Sequence, residues 1–163
     1  MIYWITLAMA ESIGIRANPN AIYYCVLNDI ADSTNIKIVD KVLVPKALEI
    51  PEQLKFIRNT FKDIFFENSI KNACIRITES NAQSVSITRI YLEGVLQELI
   101  ASSMIEKYFV GQISNISAKL GIERSAFKPF VAGESNFKDL EIWQDWDSLE
   151  REAVLAAFSA NNL

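Results

Sequence analysis

The chain has 163 residues, 50% apolar and 22% charged, a composition that predicts one globular domain with a buried core. Its net charge of −4 supplies no global basic surplus for nucleic acid, and the absence of histidine excludes His-based acid–base catalysis, His/Cys zinc sites and Cys–His dyads. The two cysteines, Cys25 and Cys74, lie in apolar runs and read as small core side chains in a reduced, cytoplasmic setting.

Residues 1–10 are apolar, lack a basic flank and run into Glu11, well short of the ~20 residues of a membrane span. Residues 1–11 are therefore expected to form an N-terminal arm or extra strand, with packing on the protein's own core as the alternative, and no signal peptide or transmembrane helix. Strand-like runs follow at 12–16, 21–28 and 36–44. Turn chemistry separates them, Asn18-Pro19-Asn20 in the first gap and residues 29–35 in the second, which predicts an antiparallel meander closed by Pro45.

A helix is expected from Pro51-Glu52, with Leu54, Ile57, Phe61, Ile64 and Phe65 as its apolar stripe. Lys55, Arg58 and Lys62 lie off that stripe and read as a solvated face. Residues 73–78 form a fourth strand, predicted to pair in parallel because it returns after a helix. A second helix spans 84–103, buried through Leu92, Val95, Leu96, Leu99 and Ile100, and 108–110 make a fifth strand. Ser114 is expected to cap a short helix to Leu120, which Gly121 stops.

Residues 123–146 carry Phe127, Phe130, Phe137, Trp143 and Trp146 without a period. An irregular insertion, a binding loop and a loop tied down by its aromatic side chains all stay open. A last helix starts near Asp147, which with Glu150 has capping-box spacing, and Leu149, Ala153, Ala156 and Ala157 are placed to face a sheet.

Over residues 12–158 this order of elements resembles the ribonuclease H-like fold, and within it the RuvC-like domains. The resemblance rests on Ile13-Gly14-Ile15-Arg16 with its hairpin, on Ile75-Arg76-Ile77-Thr78-Glu79, and on the alanine-rich final helix. The chain is also similar to an uncharacterised bacterial family of this group that shares the apolar-Gly-apolar opening and a helix motif, here Tyr91-Leu92-Glu93. The resemblance implies an α/β fold: a mixed five-stranded sheet, three antiparallel strands then two parallel, flanked by helices. Active members hold two metal ions with acids on the first strand, at the end of the fourth strand and on the final helix. Here Arg16 takes the first position and cannot ligate a cation. Glu79 takes the second, unless the strand aligns on Ile77 or Thr78, and Glu150 or Glu152 the third. Each acid also has an ordinary reading: Glu79 as a solvated loop acid, Glu150 as a cap, Glu152 as a first-turn acid complementing the helix dipole.

Two functions follow from different classes. The first is a catalytically silent domain that serves as an interaction or assembly subunit, binding a protein partner or a second copy, with Trp143 and Trp146 as interface candidates and no cofactor. The second is a metal-dependent nuclease using Mg or Mn with a rearranged acid set, Glu79, Glu150 and Glu152 with Asp145 or Asp147, or a protein that binds nucleic acid without cutting it. In that second reading Arg16 and Arg76 form an anion site; the alternative is that nearby acids pair with both. No Gly-x-Ser-x-Gly elbow, phosphate loop or dinucleotide turn offers another chemistry.

Overall fold

A computed structural model describes residues 11–30 and 33–163. The arm or extra strand expected at the start of the chain falls, up to residue 10, outside the described residues. Strands β1 (Glu11–Ala17), β2 (Ala21–Ile30) and β3 (Ser33–Leu43) form the antiparallel meander. Helix α1 (Ile50–Glu67) leads to β4 (Ile70–Arg76), and α2 (Ile87–Ser102) leads to β5 (Lys107–Gly111). Beyond these lie α3 (Ile113–Leu120), α4 (Arg124–Ala132), two short 3₁₀ turns and α5 (Ser148–Asn161). The sheet order is β3-β2-β1-β4-β5, with β4 parallel to both β1 and β5. This is the mixed sheet expected from the sequence.

Strand β1 is central, so both of its faces are covered and six of its seven residues are buried. One face, through Ile13, Ile15 and Ala17, packs with Ile57, Phe61 and Phe65 of α1 and Leu92, Leu96 and Leu99 of α2. The opposite face packs α5 onto Cys25, Leu27 and Cys74. Gly14 explains how α5 lies so close. A Cβ there would sit 2.1 Å from the backbone nitrogen of Ala157 and 2.2 Å from the carbonyl oxygen of Ala153. The alanines of α5 answer from the other side, since larger side chains would hold the helix away from the strand.

Several local expectations shift. Helix α2 begins only at Ile87, because the Ser86 hydroxyl accepts the Arg89 amide at 3.2 Å and caps it there. Ser114 is not a cap: α3 starts one residue before it, and the Gln112 amide donates to Asn115 Oδ1 at 2.9 Å. Gly121 ends that helix as expected, at φ 68°. Asp147 accepts the amides of Leu149 and Glu150, and Glu150 accepts that of Asp147, completing the capping box. Residues 123–146, left open in the sequence, contain α4 and the two 3₁₀ turns, with Phe127, Phe137 and Trp143 buried. Helix α4 was not expected, because the aromatic residues there show no period; it carries Pro129 in its interior.

Candidate functional site

The C-terminal ends of β1 and β4 lie side by side, with Arg16 opposite Arg76 in the parallel register. Each lies two positions from a residue that faces α5, Gly14 and Cys74, and so shares its strand face, which turns both guanidinium groups toward the first turns of that helix. There Glu152 meets them. Its Oε2 accepts a hydrogen bond from Arg16 Nε at 2.6 Å and lies 3.4 Å from Arg76 Nε. Arg76 continues to Glu79, with Nη2 3.2 Å from Oε1, and its Nη1 donates to the carbonyl of Ile77. Glu79 Oε1 also accepts the Ile113 amide at 2.7 Å, which ties the loop after β4 to the start of α3.

A second pair joins this group from α2. Arg89 Nε is 2.7 Å from Glu93 Oε1, which also accepts the Thr78 amide at 2.8 Å and hydroxyl at 3.0 Å. Three arginines thus face three glutamates, and the cluster is neutral as a whole. It is also secluded, with the Arg76 side chain 6% exposed and that of Glu93 4%. Burial pulls the Arg76 guanidinium below its ordinary value against the opposing field of Glu152, while burial and the like charge of Arg16 do the same to Arg89.

Arg16 and Arg76, read as anion-site candidates, are brought together, but both are ion-paired with acids and each donates Nη1 to a backbone carbonyl, Arg16 to Ala17 and Arg76 to Ile77. Of the candidate acids, Glu79 and Glu152 meet at Arg76. Glu150 does not join them, because its carboxylate is turned to the Asp147 amide, and Asp147 is occupied as the helix cap. Asp145 lies exposed in the second 3₁₀ turn. A divalent ion of the Mg or Mn type needs several oxygen ligands around one point. The acids here have guanidinium groups in that place, and among the described residues no three His, Cys, Asp or Glu side chains converge on a common point. The donor set does not fit a divalent cation.

Trp143 is a correction. It is fully buried, its indole N–H donates to the Phe130 carbonyl at 2.9 Å, and its ring packs against Phe137 and Trp146. It cannot anchor a partner, because the α4 segment closes over it; Trp146 lies half-buried against its edge. Arg151 locks the same segment, donating to the carbonyls of Trp143 and Val131 at 3.0 Å each. Arg89 and Glu93 were missed as site residues. Their spacing of four on a helix was the available signal, together with an acid inside an otherwise apolar stripe.

Beside the cluster opens a cleft of about 950 Å³, floored by Arg76, Glu79 and Glu152 and flanked by Arg124, Ser125 and Lys128 of α4. No helix of the described residues is long and apolar enough to cross a membrane.

No family model and no curated protein sequence matches the chain. Solved structures do. RuvC of Thermus thermophilus superposes with a TM-score of 0.67 at 9% identity, covering 93% of both chains. The same organism's RuvC in complex with a Holliday junction substrate gives 0.66 at 10%, over 94% of this chain and 93% of that one. At such identity the likeness speaks for architecture, and in architecture this chain has the ribonuclease H-like fold of the RuvC resolvases.

Proposed function

We propose that the chain is a single, catalytically silent ribonuclease H-like domain acting as an interaction or assembly subunit, bound to a protein partner or a second copy in a nucleic-acid-processing setting. The observation that carries this reading is the 2.6 Å contact between Arg16 and Glu152. Where a metal-dependent relative would gather carboxylates around a cation, this chain joins β1 to α5 through a cation of its own. Arg76 repeats the arrangement with Glu79 and Glu152. Carboxylates already paired with guanidinium have little charge left to offer a metal, and the arginines would repel one.

Titration of Mg²⁺ and Mn²⁺ by calorimetry, with cleavage assays on single-stranded, duplex and branched DNA and on RNA–DNA hybrid, tests the silent half of the reading. Neither binding nor cleavage is the expected outcome. Metal-dependent cleavage that disappears in Glu79→Ala would overturn it. Sedimentation over a range of concentrations tests self-assembly.

A second reading, nucleic-acid binding without cleavage, draws on the basic side of the cleft, where Arg124 and Lys128 flank Arg76. The fold shared with a resolvase seen in complex with a Holliday junction supports the same direction. It predicts an affinity for branched or duplex DNA that falls steeply with salt and drops in Arg124→Ala with Lys128→Ala.

A further inference from the structure

A recess of about 300 Å³ opens at the C-terminal end of α5, the end remote from Glu152, where that helix meets the end of α3 and the first 3₁₀ turn, Phe137–Asp139. The rings of Phe130, Phe137 and Phe158 line it. They pack edge to face, Phe137 at 5.5 Å from Phe130 and 5.3 Å from Phe158, which makes this wall apolar and aromatic. The volume lies at the lower end of the range for small-molecule sites.

Among the residues that line the recess Lys138 alone is charged. Its backbone φ is 52° and that of Asp139 is 54°, so two successive non-glycine residues hold the left-handed conformation. Strain of this kind persists where the surrounding structure over-determines it, and it clusters at ligand clamps. Here it sets Lys138 Nζ 5.4 Å from the centre of the Phe158 ring and 5.8 Å from that of Phe137. Among the described residues the ammonium gives no hydrogen bond and forms no ion pair, with Asp139 or with any other acid. The nearby helix ends are capped. Asn162 Nδ2 donates to the Lys119 carbonyl at 2.9 Å, and the amides of Asn162 and Leu163 donate to the carbonyls of Ser159 and Ala160. The carbonyl ends of α3 and α5 therefore set little field against an anion placed on Lys138.

We propose that this recess binds a small aromatic carboxylate, its ring against Phe130, Phe137 and Phe158 and its carboxylate on Lys138. The three rings select an aromatic body and satisfy no charge; the ammonium, with three N–H donors free of protein acceptors, selects the acid over a neutral isostere. The site lies apart from the arginine–glutamate cluster, so it goes beyond the interaction role and does not depend on whether the cleft is silent.

Fluorine NMR of 4-fluorophenylacetate, with 4-fluorophenylacetamide as its neutral isostere, tests the proposal on the full chain. The acid is expected to shift and broaden on addition of protein and to bind about tenfold more tightly than the amide, the size of one charge-assisted hydrogen bond. Lys138→Gln should abolish that preference and Lys138→Arg should keep it. Lys138 is exposed, so both variants are expected to fold, and the urea midpoint checks that they do. Ile122→Trp, which places a large side chain at the recess, should exclude acid and amide alike. Binding of the acid should survive Arg124→Ala with Lys128→Ala, which strip the cations from the other cleft. An acid that does not broaden at millimolar concentration overturns the proposal, as does equal binding of acid and amide to the unaltered protein. So does acid binding that persists in Lys138→Gln and disappears when Arg124 and Lys128 are changed, since the cleft would then be the site.

Discussion

Arg16 shows how one side chain changes what a site can do. It reaches Glu152 across 136 positions of sequence, and both side chains are only 12% exposed. Truncating one partner of a secluded ion pair leaves the other charge desolvated, so Arg16→Ala is expected to cost about 3 kcal/mol in urea unfolding. Combined with Glu152→Ala, the two losses should fall short of additivity by about 1 kcal/mol or more, because the second change removes the stranded charge. Strictly additive losses would show that the pair is incidental to stability. The sequence made Arg16 conspicuous as a cation on a strand. It could not name the acid, because Glu150 and Glu152 are near neighbours and only the rotation of α5 separates the cap from the ion-pair partner.

Helix α5 and strand β1 form the contact on which the cluster depends. Gly14 lets the helix backbone approach, and a methyl group there would collide with backbone atoms of Ala153 and Ala157 rather than with a side chain that could turn away. Gly14→Ala is therefore expected to lose about 3 kcal/mol, the upper range for overpacking, and to weaken the Arg16–Glu152 contact by lifting the helix. Gly94 gives the matching control. A Cβ at that position of α2 meets nothing within 4 Å, so Gly94→Ala should gain about 1 kcal/mol from helix propensity. Thermal or urea unfolding of the two variants reads both signs, and equal effects would refute the close-approach argument. The alanines of α5 were legible in advance because their small size suits a helix laid on a sheet. Helix α4 was not, because the aromatic residues there show no period; the tertiary contacts of Phe127 and Phe130 hold it, Pro129 included.

Across the whole molecule, the two cysteines tie stability to pH. Both lie under α5 in the core on that side of the sheet, and burial raises both thiols, Cys74 to about 12 with Cys25 also raised. A folded-state value above the unfolded one means the folded form holds its proton longer. The associated stability is complete below the ordinary thiol value and is lost as pH rises through the folded value. The urea midpoint should therefore be steady near neutrality and fall from about pH 9 toward 12, each thiol contributing about 1.4 kcal/mol per pH unit in that window. Cys74→Ala should flatten the slope; an unchanged slope would assign the alkaline loss to other groups. Tyr24, also raised by burial, adds in the same direction at higher pH.

Apart from α4, the order of strands and long helices, the meander and the capping of α5 could be read from the residues alone. Hydrophobic period, turn chemistry and caps act over a few positions, and their signals are written side by side in the chain. Which charges meet was settled by folding. Arg16, Arg76 and Arg89 with Glu79, Glu93 and Glu152 come from two strands, two helices and a loop; Arg76–Glu79 and Arg89–Glu93 are near neighbours in sequence, whereas the meeting of Arg16 and Arg76 at Glu152 depends on how α5 crosses Gly14. The burial of Trp143 has the same origin: its ring is covered by Phe130, Phe137 and Trp146 only once α4 and the 3₁₀ turns have packed over α5. Local free energies choose the elements, whereas long-range packing chooses their contacts, and a site built from contacts between distant residues is specified by the second.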